Sequence, residues 1–318
     1  MSATAPVVAV CLMGPTATGK TALALALAER LPLGLISVDS AMVYRQLDIG
    51  SGKPSPDVLV RHPHRLLDIR DPWEQYSAGE FVRDAREAIE ESVAARRIPV
   101  LVGGTLLYFR SLLQGLSPLP AADPEFRAAL DARAAVEGWP ALYAELARLD
   151  PVAAARIGST DRQRIQRALE VRHVTGTPIS ALQGQRQASP PGRYLTIGLL
   201  PRDRQELQRR IAERLQAMLA AGFVAEVERL LALPGMHGGR PALRAVGYRQ
   251  LSQFVAGECS QAEAESRALA ATRQFAKRQL TWLRRETCDV WLDMESGSLV
   301  GDAEQAIRVA VPQMQYAA

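Results

Sequence analysis

The chain has 318 residues, 47% of them hydrophobic and 23% charged, with a net charge of +4. That balance is globular, and without an apolar run of about 18 residues it excludes a membrane-spanning helix. Cys11, Cys259 and Cys288 lie too far apart for a disulfide framework or a C-x-x-C zinc pair, which fits a cytoplasmic protein.

Val7 to Met13 is apolar and has no basic flank before it, so it reads as a first strand and not as a signal peptide. Gly14, Pro15, Thr16, Ala17, Thr18, Gly19, Lys20 and Thr21 follow, in the spacing G-x-x-x-x-G-K-T, and an alanine- and leucine-rich helix follows them, Ala22 to Ala28. Strand, glycine loop and helix make a phosphate-binding loop. Its amides and the helix N-terminus suit an anion. Lys20 suits the outer phosphate, and the Thr21 hydroxyl suits Mg²⁺. The expected ligand is a di- or triphosphate.

Leu33 to Val38 reads as a second parallel strand, with Asp39 and Ser40 at its carboxyl end, where ligands of open α/β sheets sit. At that position Asp39 is a Mg²⁺ ligand, a general base or a helix cap. Ser51 to Trp73, rich in Gly, Pro, Asp and His, reads as a long loop. Ser77 to Arg96 has helical periodicity. Ile98 to Val102 is a third buried strand, ending in Gly103, Gly104 and Thr105. No aspartate stands there to hold Mg²⁺, which argues against an ATPase. Composition changes near Ser117 to Pro120. Asp123 to Gly176 is helical in pattern, with starts at Asp123-Pro124 and at Ser159 to Asp161. Gln183 to Arg193 reads as a polar loop and Tyr194 to Leu200 as a returning strand. Asp203 to Arg285 is mostly helical, and Trp291 to Asp293 is a last strand or a loop. The expectation is a parallel α/β phosphate-loop core at 1–117 and 194–318, flanked by helices, with an all-helical insertion at 118–193.

Only three of the 38 basic residues are lysines, Lys20, Lys53 and Lys277. Arg273, Lys277, Arg278, Arg284 and Arg285 form a basic stripe with a single acid, Glu286, which suits a polyanion. Arg156, Arg162, Arg164, Arg167 and Arg172 lie in or beside the insertion, with Arg164 and Arg167 on one helix face. His62 and His64 are a poor metal pair and read as structural or surface residues.

These motifs resemble the tRNA dimethylallyltransferases (isopentenyl-tRNA transferases) of bacterial type. Besides the phosphate loop, the resemblance rests on Ser37 to Arg45 (SVDSAMVYR), Asp48 to Pro54 (DIGSGKP), Leu67 to Pro72 (LDIRDP) and Val102 to Tyr108 (VGGTLLY). It continues through Asp161 to Glu170 (DRQRIQRALE), Arg244 to Arg249 (RAVGYR) and Ala271 to Gln279 (ATRQFAKRQ). The set covers nearly the whole chain in the family's order. Ala41-Met42 departs from it, since a Gln is usual there.

The resemblance implies transfer of a dimethylallyl group from dimethylallyl diphosphate to N6 of the adenine at tRNA position 37, beside the anticodon, in tRNAs reading codons that begin with U. It implies Mg²⁺ as cofactor, a monomer, and a loop that holds a diphosphate leaving group. Lys20 and Arg214 would face that diphosphate, Asp39 would accept the N6 proton, and Thr105 would position the nucleotide. The insertion would grip the anticodon stem-loop. Implied tRNA contacts are Asp39, Ser40, Ala41, Met42, Thr105, Arg127, Gln163, Arg164, Ile165, Gln166 and Arg167, then Arg244, Ala245, Val246, Gly247, Tyr248 and Arg249. Lys277 and Arg278 of the basic stripe join them. A flipped adenine would enter one mouth of a channel and the donor the other. A nucleoside or small-molecule kinase, or a non-catalytic RNA-binding protein, would carry the same loop without this transfer.

Overall fold

An apolar run without alternation forms a strand only where both faces are covered. Val7–Met13 meets that condition as β1, with every residue but Val8 buried. The computed structural model describes residues 7–185, 192–237 and 239–312. Around β1 lie β2 (Leu33–Val38), β3 (His64–Arg65), β4 (Ile98–Gly103), β5 (Arg193–Leu200) and β6 (Val290–Asp293). All pairs are parallel, in the order β3-β2-β4-β1-β5-β6. Met13 is in register with Gly103, and Gly103 with Val38. The three segments that leave these strands therefore start side by side on one rim.

Close backbone approach at that rim requires glycine. A Cβ on Gly103 would lie 2.0 Å from the Val38 carbonyl oxygen. One face of the sheet packs Val10, Leu12 and Val100 against α1 (Lys20–Ala28) and α14 (Leu299–Ala310), through Leu23, Leu27, Ala303 and Ile307. Cys11, Ile36 and Leu101, the alternate residues, are buried as well.

Two short elements occupy the stretch read as a long loop: α2 (Pro56–Arg61) and β3. Pro56 supplies a preset helical φ at the first position of α2. β3 is only two residues, registered with Leu35 and Ile36, and too short to leave a pattern. Helix α3 (Ala78–Ala94) starts at a capping box in which Ser77 and Glu80 bond reciprocally, and α4 is Leu106–Gln114.

The chain divides into two compact units, Leu112–Pro190 and the remainder. The boundary falls a few residues before the compositional change at Ser117 to Pro120. That proline-rich segment is bound within the second unit: Ser117 Oγ accepts from the Gly184 N–H, and Pro120 O from Arg167. The second unit holds α5 (Pro124–Glu137), α6 (Trp139–Leu149), α7 (Pro151–Ala154), α8 (Arg162–Thr175) and α9 (Ile179–Leu182). Asp123 and Asp161 cap α5 and α8, accepting from the N–H groups of Phe126 and Arg164. Leu130, Leu142, Leu146, Ile165 and Leu169 form its core. The first unit resumes at β5. The polar loop expected over Gln183 to Arg193 lies largely outside the described residues, at 186–191.

After β5 come α10 (Arg204–Ala220), α11 (Phe223–Leu231), a 3-10 turn at Ala242–Arg244, α12 (Tyr248–Val255) and α13 (Gln261–Leu283). β6 resolves the strand-or-loop alternative at Trp291 to Asp293, and α14 closes the fold. Among the described residues no helix is long and apolar enough to cross a membrane. Gly103→Ala is expected to lower stability by about 1–3 kcal/mol, the usual cost of overpacking against backbone that cannot yield. Urea unfolding of the full chain checks it, and an unchanged midpoint would show that β2 and β4 can separate freely.

Candidate active site

The phosphate loop is shaped by positive φ angles at Ala17 (64°) and Gly19 (84°). The Pro15 carbonyl accepts from both the Thr18 hydroxyl (2.8 Å) and the Lys20 ammonium (2.5 Å). Thr18 is buried and holds the loop together. Thr16, Lys20 and Thr21 face a cavity of about 400 Å³.

At the end of β2, Asp39 Oδ1 accepts from the N–H groups of Ala41 (2.8 Å) and Met42 (3.2 Å). The carboxylate therefore caps a turn and also lines the cavity. Thr105, after β4, accepts from the Ser40 N–H through Oγ1 at 3.2 Å, and its own N–H donates to the Val38 carbonyl. It ties the exits of β2 and β4 together.

Asp48 to Pro54 forms a third wall. It is organised by Glu226 of α11, a carboxylate only 2% exposed. Glu226 accepts from the N–H groups of Asp48, Ile49 and Gly50 and from the Tyr248 hydroxyl. Tyr248 in turn accepts from the Ser51 N–H. Lys53, its side chain almost wholly covered, donates to Asp48, Asp68 and the Tyr44 carbonyl. Gly50 and Gly52 have no room for side chains: a Cβ on Gly50 would enter the Phe223 ring, and one on Gly52, at φ 71°, would meet the Arg214 guanidinium. Arg214 of α10 reaches across this gap and donates to the Ser51 carbonyl at 3.1 Å.

Lys20, Arg214 and Asp39 thus meet in one cavity. Burial pulls the Lys20 pKa down to about 7, and the nearby Arg214 adds to that; Asp39 opposes both. Burial also lowers Arg214, again opposed by Asp39. Two desolvated cations against one carboxylate leave an excess positive charge that suits a diphosphate.

Arg244, Ala245, Val246, Gly247 and Arg278 line the same cavity, and Lys277 and Arg249 are exposed. Tyr248 does not reach it with its side chain, being fully buried on Glu226. In the second unit Gln163 and Arg164 are exposed, Arg164 beside Asp161 at 3.4 Å. Ile165 is core, so its side chain is closed to any RNA. Gln166 donates to Asp131 and the Arg127 carbonyl. Arg127 and Arg167 clasp the fully buried Glu170, which also accepts from the Asp123 N–H. Burial opposes ionisation of Glu170, but the two guanidiniums outweigh it and hold its pKa below the ordinary carboxylate value.

Sequence reasoning missed Glu226, Lys53 and Gln279. Gln279, 6% exposed, accepts from the Thr16 N–H (2.9 Å) and donates to the Gly104 carbonyl (2.8 Å). It stood in a matched motif without a role. His64 lines the cavity, and its Nδ1 is hydrogen-bonded to the His62 carbonyl. Burial lowers its pKa. His62 pairs with Glu29.

Comparison with known proteins gives one answer. The family model described as IPP transferase matches residues 42–286, and that described as Isopentenyl transferase matches 8–75. The tRNA dimethylallyltransferase of Stenotrophomonas maltophilia (strain K279a) is 55% identical over 291 residues, spanning 90% of this chain and 92% of its own. That of Bordetella pertussis is 52% identical over 306 residues, spanning 95% and 98%. The crystal structure of the full-length tRNA isopentenylpyrophosphate transferase from Bacillus halodurans superposes with a TM-score of 0.70 at 33% identity, covering 96% of this chain and 97% of that one. A eukaryotic dimethylallyltransferase acting on tRNA shares the fold, with a TM-score of 0.77 at 23% identity, covering 95% and 78%.

A bound anion offsets the desolvation of Lys20, so inorganic diphosphate favours its protonated form. The Lys20 pKa lies near 7 before binding. Affinity is therefore full below pH 7 and falls above it, by up to about tenfold per pH unit. Lys20→Arg keeps its proton and serves as the reference, which cancels the ionisation of the diphosphate itself. Calorimetric titration from pH 6 to 9 should show wild-type affinity falling relative to the variant; parallel profiles would contradict the Lys20 assignment.

Proposed function

The chain belongs to the IPP transferase family of tRNA dimethylallyltransferases, and from that membership and the cavity we propose how donor, acceptor and residues are matched. It transfers a dimethylallyl group to an adenine of tRNA. The donor in this reading is dimethylallyl diphosphate. The acceptor is N6 of the adenine at position 37, in tRNAs whose codons begin with U. The protein acts as a cytoplasmic monomer.

One observation carries the assignment of roles. The register Met13, Gly103, Val38 sets the phosphate loop, Thr105 and Asp39 on one rim. The N6 lone pair is delocalised into the purine, so the amine attacks only as the allylic C–O bond breaks and positive charge spreads over the allyl group. The bonding pair leaves with the diphosphate, whose charge Lys20, Arg214 and the loop amides stabilise. N6 forms the new bond to carbon, and Asp39 accepts its proton. The Ala41 and Met42 amides hold Oδ1, which fixes the carboxylate and leaves Oδ2 to take that proton. The Thr105 hydroxyl keeps the Ser40 turn in place beside the base.

Mg²⁺ suits the donor set, because it needs few protein oxygens and keeps phosphate and water ligands. Thr21 offers a hydroxyl at the cavity wall, and the ion when bound would neutralise charge on the departing diphosphate. Arg244, Ala245, Val246, Gly247 and Arg278 would meet RNA at the cavity and Arg249 and Lys277 on the exposed surface, while Gln163 and Arg164 would meet it on the second unit. Arg127 and Arg167 would serve there by holding the helices that carry them.

Incubation with Mg²⁺, labelled dimethylallyl diphosphate and an unmodified stem-loop bearing three adenines beside the anticodon should place label on N6 of one adenine. Asp39→Ala should bind the stem-loop within about twofold of wild type while turnover falls roughly 10²–10⁴-fold, the usual worth of a general base. Normal turnover would remove Asp39 from that role. Arg164→Ala should weaken stem-loop binding and flatten its salt slope. Arg127→Ala should instead lower the melting temperature, by stranding one side of a buried carboxylate. The reverse pattern would exchange their roles.

A further inference from the structure

The Gln279 side chain joins α13 to both the phosphate loop and the turn after β4. Its two bonds leave no choice of amide orientation: Oε1 must face the Thr16 N–H, and Nε2 the Gly104 carbonyl. Gly104 is open enough for this only as glycine, since a Cβ there would stand 2.4 Å from Nε2. The side chain is buried, yet it lines the cavity together with Lys20, Asp39 and Arg278. It is preceded on α13 by Lys277 and Arg278, whose exposed side chains belong to the basic stripe.

We propose that Gln279 is a positioning residue for the transfer: it locks the phosphate loop against the β4 turn, so that the diphosphate end of the donor and the acceptor side around Thr105 keep a fixed separation. The Thr16 amide is committed to Gln279, which turns that peptide toward α13 and settles which loop amides are presented to the anion. Gly104 is held next to Thr105, whose hydroxyl carries the Ser40 turn beside Asp39. A single side chain thereby sets both ends of the reacting geometry. This inference rests on the transferase reading for the identity of the reacting groups, but the lock itself is tested by diphosphate alone.

The side chain must donate at one end and accept at the other. Gln279→Met fills the space and does neither. Gln279→Glu does both only while its carboxyl is protonated. When ionised it faces the Gly104 carbonyl with a second acceptor and adds negative charge at the phosphate loop. Burial raises a carboxyl pKa, but the cations lining the same cavity, Lys20, Arg214 and Arg278, oppose that, so Gln279→Glu is compared with Gln279→Met at the alkaline end, where its carboxyl is ionised.

The test uses the full chain with Mg²⁺. Inorganic diphosphate affinity and donor kcat/KM are measured for wild type, Gln279→Met and Gln279→Glu from pH 5.5 to 8.5, with stem-loop affinity in parallel. Gln279→Met should lose about tenfold or more in kcat/KM and in diphosphate affinity, consistent with two hydrogen bonds lost, and stem-loop affinity should stay within about twofold. Gln279→Glu should do no better than Gln279→Met at the alkaline end, where its ionised carboxylate cannot donate to the Gly104 carbonyl. Unchanged donor parameters in Gln279→Met would overturn the proposal, as would wild-type diphosphate affinity in Gln279→Glu at pH 8.5. If wild type transfers no prenyl group but binds diphosphate in this Gln279-dependent way, the transferase reading fails and the lock stands.

Discussion

Lys20 and Arg214 share a desolvated cavity with a single carboxylate, and their mutual repulsion is the constraint that the surrounding structure answers. Two cations so placed are each shifted toward neutrality, Lys20 by burial first and then by Arg214, and Arg214 by burial. In water they would separate. Here Lys20 is held by the Pro15 carbonyl and Arg214 by the Ser51 carbonyl, backbone acceptors that solvate the charge without cancelling it. The site stays short of negative charge, which is the property a diphosphate-accepting cavity needs before its ligand arrives.

Keeping Ser51 in place is costly in the usual terms, because Asp48 to Gly52 turns tightly and exposes backbone donors toward the interior. Glu226 resolves this. Its buried carboxylate has no cation beside it in its bonding set; three amides and a phenol satisfy it instead. Hydrogen bonding of that kind satisfies the oxygens of a buried acid without an ion pair. The same turn brings Gly52 under the guanidinium and Gly50 against Phe223, so its glycines are read as close approaches and not as flexibility. Lys53 then closes the turn on Asp48 and Asp68.

The strands were legible because parallel strands covered on both faces leave unbroken apolar runs, as in Val7–Met13 and Leu33–Val38. The helix starts at Asp123 and Asp161 were legible because capping is a local interaction. The phosphate loop and Asp39 were legible because strand ends carry polar residues by topology. The rest was set by long-range contacts that no window contains. β3 exists only as the partner of β2. Glu226 looks like any acid on an amphipathic helix until its amide partners, 176 residues or more away in sequence, are placed around it. Gln279 lies 263 residues from Thr16. Helix α14 is an ordinary amphipathic turn of chain whose buried Ala303 and Ile307 show their purpose only against the sheet.

Arginine content alone is therefore a poor guide to where RNA is met. Burying Glu170 in a small helical unit demands compensation, and Arg127 and Arg167 provide it through charge-assisted bonds on both oxygens. A guanidinium committed to a buried carboxylate cannot leave it for a phosphate without stranding that charge, a loss larger than a surface phosphate contact returns. Arg164, with a side chain 66% exposed and paired with the part-exposed Asp161, bears no such obligation. Neighbouring residues on one helix thus divide between shaping the unit and facing solvent, and the division follows from which of them a buried acid requires.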